Sequence, residues 1–240
     1  MQEGGNDKEI SRIVTMNYRD VNEIIEQGEG FTVEFKRRIS SPEKIARTII
    51  SFANTKGGII LFGVDDDGSI VGVESEKSEI ELIEVAGKDF IDPPIMPEID
   101  IVPFNGRDVI VCHIQESKIK PHYFLGEQDR TDGENTRVYI RVNDKTMMAS
   151  KEVVKILKNE NPDAPPLKVA IGDNEKRLFR YLDEHERITV REFGRLVNIS
   201  DRRASRILVG LVRAGVIRIH THEKTEYFTL AFGDIDEKII

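Results

Sequence analysis

Tryptophan is absent from this 240-residue chain, and cysteine occurs once, as Cys112 inside the apolar run VIVCHI. A single thiol excludes an internal disulfide framework and a four-cysteine zinc site within one chain, and it fits a reducing cytoplasm. No uninterrupted apolar run approaches the roughly eighteen residues of a membrane span. The first residues, MQEGGNDKE, hold no apolar core of a secretory signal, so a soluble cytoplasmic protein with no membrane partner is expected. No GxxxxGK[ST] motif occurs either, which leaves a Walker-type ATPase unsupported.

The formal net charge is −8, but it is unevenly spread. Residues 168–232 carry 13 Lys and Arg against 9 Asp and Glu, a net of +4, leaving −12 for the remainder. Screening limits each charge to about 10 Å at ordinary salt, so local patches rather than the total decide whether a polyanion binds. An acidic protein can therefore still present a basic surface.

At 27.3 kDa the chain has room for two modest domains, each with its own core. Hydrophobic periodicity predicts a short helix over 17–27, then an α+β alternation: strands at 32–37, 59–64, 69–73, 98–104, 107–115 and 136–142, helices at 42–53 and 77–90. A helix over 150–158 leads into NENPDAPPL, which holds three of the nine prolines and marks a boundary. Beyond it, helices are predicted at 174–184, 189–197 and 201–214, the last capped by Ser200 and ended by Gly215, followed by strands VIRIH and YFTLA. Helix, helix, helix, hairpin is the winged-helix order. The expected division is an extension with a short helix (1–28), an α+β domain (29–158), a linker (159–167), a winged helix-turn-helix domain (168–232) and a tail (233–240).

Two groups of residues carry candidate chemistry. In the first domain, strand periodicity sends Phe35 to the core and sets Glu34 with Lys36 on the opposite, wetter face. The turn Asn54-Thr55-Lys56-Gly57-Gly58 reads either as a helix C-cap running into a tight turn or as a phosphate cradle. In the second domain, Arg202, Arg203, Arg206 and Arg213 fall off the apolar stripe of the 201–214 helix, beside the small Ser205. A guanidinium fork grips guanine O6 and N7, so such a helix suits the major groove of double-stranded DNA. Arg218 and the hairpin residues His220, His222 and Lys224 would lie along the adjacent backbone. The two histidines have no third ligand nearby and read as a polar wing; His113, His122 and His185 receive no role.

The run from Glu29 to Gly72 contains Glu29, then Glu34-Phe35-Lys36, then Phe52-Ala53-Asn54-Thr55-Lys56-Gly57-Gly58, then Gly63-Val64-Asp65-Asp66. With Lys120-Pro121-His122-Tyr123-Phe124 and Val138 to Val142 farther on, it resembles the Schlafen-type AlbA domain over about 29–150. Where relatives show Gly-Ser, this chain has Asn143-Asp144. The resemblance implies a mixed α/β domain that binds nucleic acid or regulates. In some members it implies a nuclease, in which Glu29, Glu34 and either Asp65 or Asp66 would hold Mg²⁺ or Mn²⁺ and activate water on a phosphodiester. Related sequences are also grouped with divergent ATPases, which keeps a nucleotide-sensing role for the NTKGG turn open.

The expected function is a DNA-binding transcriptional regulator acting as a homodimer, since one recognition helix covers a half-site. The first domain would add affinity through Lys36, Arg37, Arg38, Lys56 and Arg141, or sense a signal. No cofactor is expected under this reading. The alternative is the metal-dependent nuclease on RNA or single-stranded DNA.

Overall fold

The computed structural model describes residues 16–126, 137–162, 170–222 and 225–231. Its first element, α1 (Tyr18–Gln27), begins at Asn17, whose side chain accepts from Arg19 N while Asp20 bonds back to Asn17 N. Such a capping box ties down donors that the first helical turn cannot satisfy internally. β1 (Val33–Lys36) follows, and α2 (Pro42–Ala53) starts at Ser41 with proline at its first position. The ring constraint costs nothing there because that N–H has no partner in a helix anyway. The helix crosses over to β2 (Gly58–Phe62), which lies parallel to β1 with Phe35 opposite Leu61.

β4 (Glu98–Phe104) and β5 (Arg107–Ile114) complete a sheet of order β1-β2-β5-β4, antiparallel beyond the first pair. The alternation of side chains along a strand splits the apolar residues between two faces. Ile60, Phe62, Ile110, Cys112 and Ile114 meet Ile45, Ile49, Ile50 and Phe52 of α2 and Ile83 of α3 (Glu76–Asp89). Phe35, Leu61, Val109 and Val111 meet Val21 of α1 on the other side. The sheet is thus sandwiched between helices, which accounts for its near-continuous apolar strands.

Three short strands fall where no periodicity was legible: β3 (Ile91–Asp92) pairs with β6 (Tyr123–Phe124), and β8 (Lys145–Met148) pairs with β7 (Tyr139–Val142). The strand predicted at 69–73 is reduced to a single bridge between Val64 and Ile70. Val138, Ile140 and Val142 pack on Val153 and Leu157 of α4 (Lys151–Glu160), so α4 runs into the region expected as linker.

A separate core follows. α5 (Asp173–His185), α6 (Val190–Val197) and α7 (Asp201–Arg213) enclose Leu178, Leu182, Phe193, Ala204, Leu208 and Leu211 together with Ile217 of β9 (Ile217–Thr221) and Phe228 of β10 (Glu226–Leu230). Among the described residues no helix is long and apolar enough to cross a membrane. The stretches 1–15 and 232–240, most of the expected linker and Lys224 lie outside the described residues.

Candidate nucleic-acid interface and the acidic cluster

Glu34 does not face solvent. Its carboxylate accepts from Arg141 Nη1 at 2.8 Å and is also bonded by Lys36 Nζ. Phe35 goes to the core as its period requires, but the opposite face of β1 is covered by β7 and the end of α2. There Arg141 is fully enclosed, its side chain 0% exposed, with Nη2 on the Gly30 carbonyl at 2.6 Å and Cζ 4.7 Å from the Phe52 ring centroid. Arg141, expected on a nucleic-acid surface, is therefore an internal counter-ion. A guanidinium that can reach no phosphate without unfolding its surroundings binds none.

The expected carboxylate cluster is likewise committed elsewhere. Glu29 Oε1 accepts from Phe35 N at 2.8 Å, closing the loop before β1. Asp65 is held by Arg37 Nη1 at 2.9 Å and also accepts from Asp66 N. Asp66 is exposed in the turn, and neighbouring Asp67 has its pKa lowered chiefly by bonds from Ser69. Among the described residues no three His, Cys, Asp or Glu side chains converge as a metal ion needs. The set Glu29, Glu34, Asp65 and Asp66, expected for Mg²⁺ or Mn²⁺, is not brought together: Glu29, Glu34 and Asp65 each have a partner within the chain, and Asp66 stands exposed in the turn.

The NTKGG turn is built from the same economy. Asn54 ends α2, donates from Nδ2 to the carbonyls of His122 and Tyr139 at 3.1 Å each, and accepts from His122 N at 2.8 Å. Gly57 has φ +69°, and a Cβ there would stand 2.6 Å from the Ile114 oxygen; one at Gly58 would stand 2.6 Å from the Thr32 oxygen. The glycines allow the chain's own backbone at Ile114 and Thr32 to close in. Of the first domain's cations, Lys56 reaches Glu116 at 3.5 Å and Arg38 is exposed.

The arginines of α7 divide. Arg202, Arg203 and Arg206 are exposed, and their side chains have no hydrogen-bond or ion-pair partner among the described residues. Arg213 and Arg218 have interactions of their own. Ser205, expected beside the arginines at the DNA surface, is instead 2% exposed: its hydroxyl donates to Glu152 Oε1 at 2.7 Å and accepts from Lys155 Nζ at 2.6 Å. One flank of α7 is seated on α4, and a small residue is what lets two helix backbones approach there. His220 stacks on Tyr227 with ring centroids 4.9 Å apart and bonds Thr229 Oγ1 at 2.9 Å, which fixes it as part of the hairpin.

Sequence reasoning passed over one pair. His122 lies in the KPHYF block, and its Nε2 lies 2.7 Å from Ser117 Oγ. The block was visible; its partner, five residues upstream, was not.

Residues 29–150, just over half of the chain, match the family described as Schlafen, AlbA_2, and the chain belongs to that family. Among solved structures it is similar to the DIP2311 protein of Corynebacterium diphtheriae, at 19% identity and TM-score 0.41, over 59% of this chain and only 31% of that one. It is also similar to the N-terminal domain of a Nitrosomonas europaea protein described as related to the ATP-dependent DNA helicase RecG. That likeness has 20% identity and TM-score 0.39, over 55% of this chain and 95% of that one. No curated protein matches the chain.

Proposed function

We propose that the protein is a DNA-binding transcriptional regulator of the cytoplasm, in which residues 168–232 form a winged helix and α7 enters the major groove. The observation that carries this reading is the outward row Arg202, Arg203 and Arg206, side chains without partners among the described residues. Buried or paired arginines would speak for a structural helix; unpaired ones cost nothing to hand over to phosphates or guanine edges. Ser200 caps the helix, so its amino-terminal N–H groups and dipole reinforce the same end. The three helices and hairpin closed on one apolar core supply the architecture.

The AlbA-type domain, 29–158, adds nucleic-acid affinity through Arg37, Arg38 and Lys56, or passes a signal to α7 through α4. A homodimer would place two copies of α7 on successive half-sites. Neither the nuclease nor the nucleotide-sensing alternative gains from any observation of the site.

The test is binding of the intact protein to a mixed-sequence duplex, measured by fluorescence anisotropy across a salt series. Replacing Arg202, Arg203 and Arg206 together with Ala should weaken binding and flatten the slope of log K against log salt by about 0.9 per lost phosphate contact. Unchanged affinity and slope would remove α7 as the recognition helix.

A further inference from the structure

A cavity of about 490 Å³ opens between the loop that follows β3, the end of β5 and the segment after β5. Exposed Met96 and Ile119 line it, with Pro93; Ser117 and His122 supply its polar wall. It lies apart from α7 and from the carboxylates of β1.

His122 Nδ1 is 2.7 Å from the Pro93 carbonyl oxygen. A carbonyl can only accept, so Nδ1 carries the proton and Nε2 offers a lone pair. Ser117 Oγ, 2.7 Å from Nε2, then donates its proton to it. Its other acceptor, the Ile119 carbonyl, is farther at 3.3 Å, and the bond from Ile119 N at 3.0 Å fixes the rotor without using the hydroxyl proton. The scaffold is rigid: Asn54 clamps His122 through N–H and carbonyl, and Ser117 N donates to the Ala53 oxygen at 2.9 Å. Burial holds the His122 pKa below its ordinary 6.5, against smaller upward pulls from the Pro93 bond and Asp92, so the imidazole is a neutral base at pH 7. Nucleophile, base and an orienting acceptor on the far nitrogen are the parts of an activated hydroxyl.

We propose that Ser117 and His122 form a base-activated nucleophile that accepts small esters with an apolar acyl group. Ser117 Oγ attacks the ester carbonyl carbon while its proton passes to His122 Nε2 and the carbonyl pair moves onto oxygen. The intermediate collapses, the C–O bond to the alcohol breaks, and the departing alkoxide takes the proton from Nε2. Water then attacks the acyl-serine, giving its proton to the same nitrogen, and the carboxylic acid leaves as Ser117 regains a proton. Lys118, exposed on the wall of the same cavity, adds a cation to the lining. Glu98, Glu116 and His113 also line the cavity; Glu98 bonds Gln115, Glu116 bonds Lys120, and His113 pairs with Asp100.

The test is labelling of the full chain with a fluorophosphonate, read by mass spectrometry, alongside hydrolysis of p-nitrophenyl butyrate. One adduct per chain is expected, on the peptide holding Ser117, and none in Ser117→Ala. His122→Asn, whose amide nitrogen takes the place of Nδ1, keeps a donor for Pro93 but has no base, and should slow both reactions by about 10²- to 10⁴-fold. In the wild-type protein, labelling should fall with acid only below pH 6.5. Failure to label, or labelling that survives Ser117→Ala, would overturn the assignment. DNA binding by Ser117→Ala is expected to match wild type, so the two readings fail separately.

Discussion

Glu34→Ala is the substitution that would ordinarily probe a nuclease, and here it should destabilise the domain whatever it does to catalysis. Removing the carboxylate leaves the Arg141 guanidinium at 0% exposure with only the Gly30 carbonyl and Thr146 Oγ1 as acceptors. Taking one partner from a buried ion pair costs about 3–5 kcal/mol, and for a chain of this size that is a fall in Tm of about 6–20 °C. Lys36, 34% exposed, can turn to water and adds little to the loss. Arg141→Met should cost a similar amount, while Glu34→Leu with Arg141→Met restores much of it, because desolvation and attraction vanish together. Differential scanning calorimetry of wild type, Glu34→Leu, Arg141→Met and the double variant closes the double-mutant cycle, with Glu34→Ala melted alongside. A Glu34→Ala protein melting within 2 °C of wild type would refute the counter-ion role; loss of any activity in that variant, without the melting curve, would show nothing about metal binding.

Asn54→Ala should cost about 3 kcal/mol or more, since it strands three buried backbone groups of His122 and Tyr139, and chemical denaturation would read it. Gly57→Ala should be at least as harmful, through its +69° φ and the Ile114 oxygen, and a soluble protein of normal Tm would contradict it. Glu226 has its pKa raised, mainly by burial, so its ionisation weakens the fold as pH rises through the carboxylate range. Glu226→Gln is accordingly expected to be more stable than wild type at pH 7 and to lose that advantage below about pH 4.5. The buried Cys112 thiol, its pKa pushed up by desolvation, should react with a disulfide reagent only on unfolding.

Most of the framework was legible because local signals agreed. Ser41-Pro42 and a stripe of Ile45, Ile49 and Ile50 define α2 to the residue, and Ser200 does the same for the start of α7. What escaped was burial at places where two elements meet. The alternation of Tyr139 and Arg141 with apolar neighbours reads as a half-wet strand, yet all four residues of β7 are buried, since α2 covers one face and α4 the other. Period-two reasoning assigns faces; it does not say whether the second face is covered. The two-residue strands β3 and β6 have no period at all.

Ser205 carries the same lesson to function. Its neighbours Arg202, Arg203 and Arg206 suit a DNA-reading surface, and a small residue among them reads from sequence as clearance for a groove. In the fold it is clearance for α4. The same helix is joined at its other end to the first domain, Glu160 receiving Lys120 Nζ at 3.4 Å and Lys120 also holding Glu116 at 2.7 Å. The Glu116 to Lys120 segment is therefore tied to the flank of α7 through the body of α4, with Lys120 on Glu160 at one end of the helix and Ser205 on Glu152 at the other. Two discrete states are needed for such a connection to transmit anything. Lys120→Met removes the link without touching α7; it should leave the arginine surface intact while shifting DNA affinity if the α4 seat governs access to it, and anisotropy indistinguishable from wild type would leave α4 as a fixed support alone.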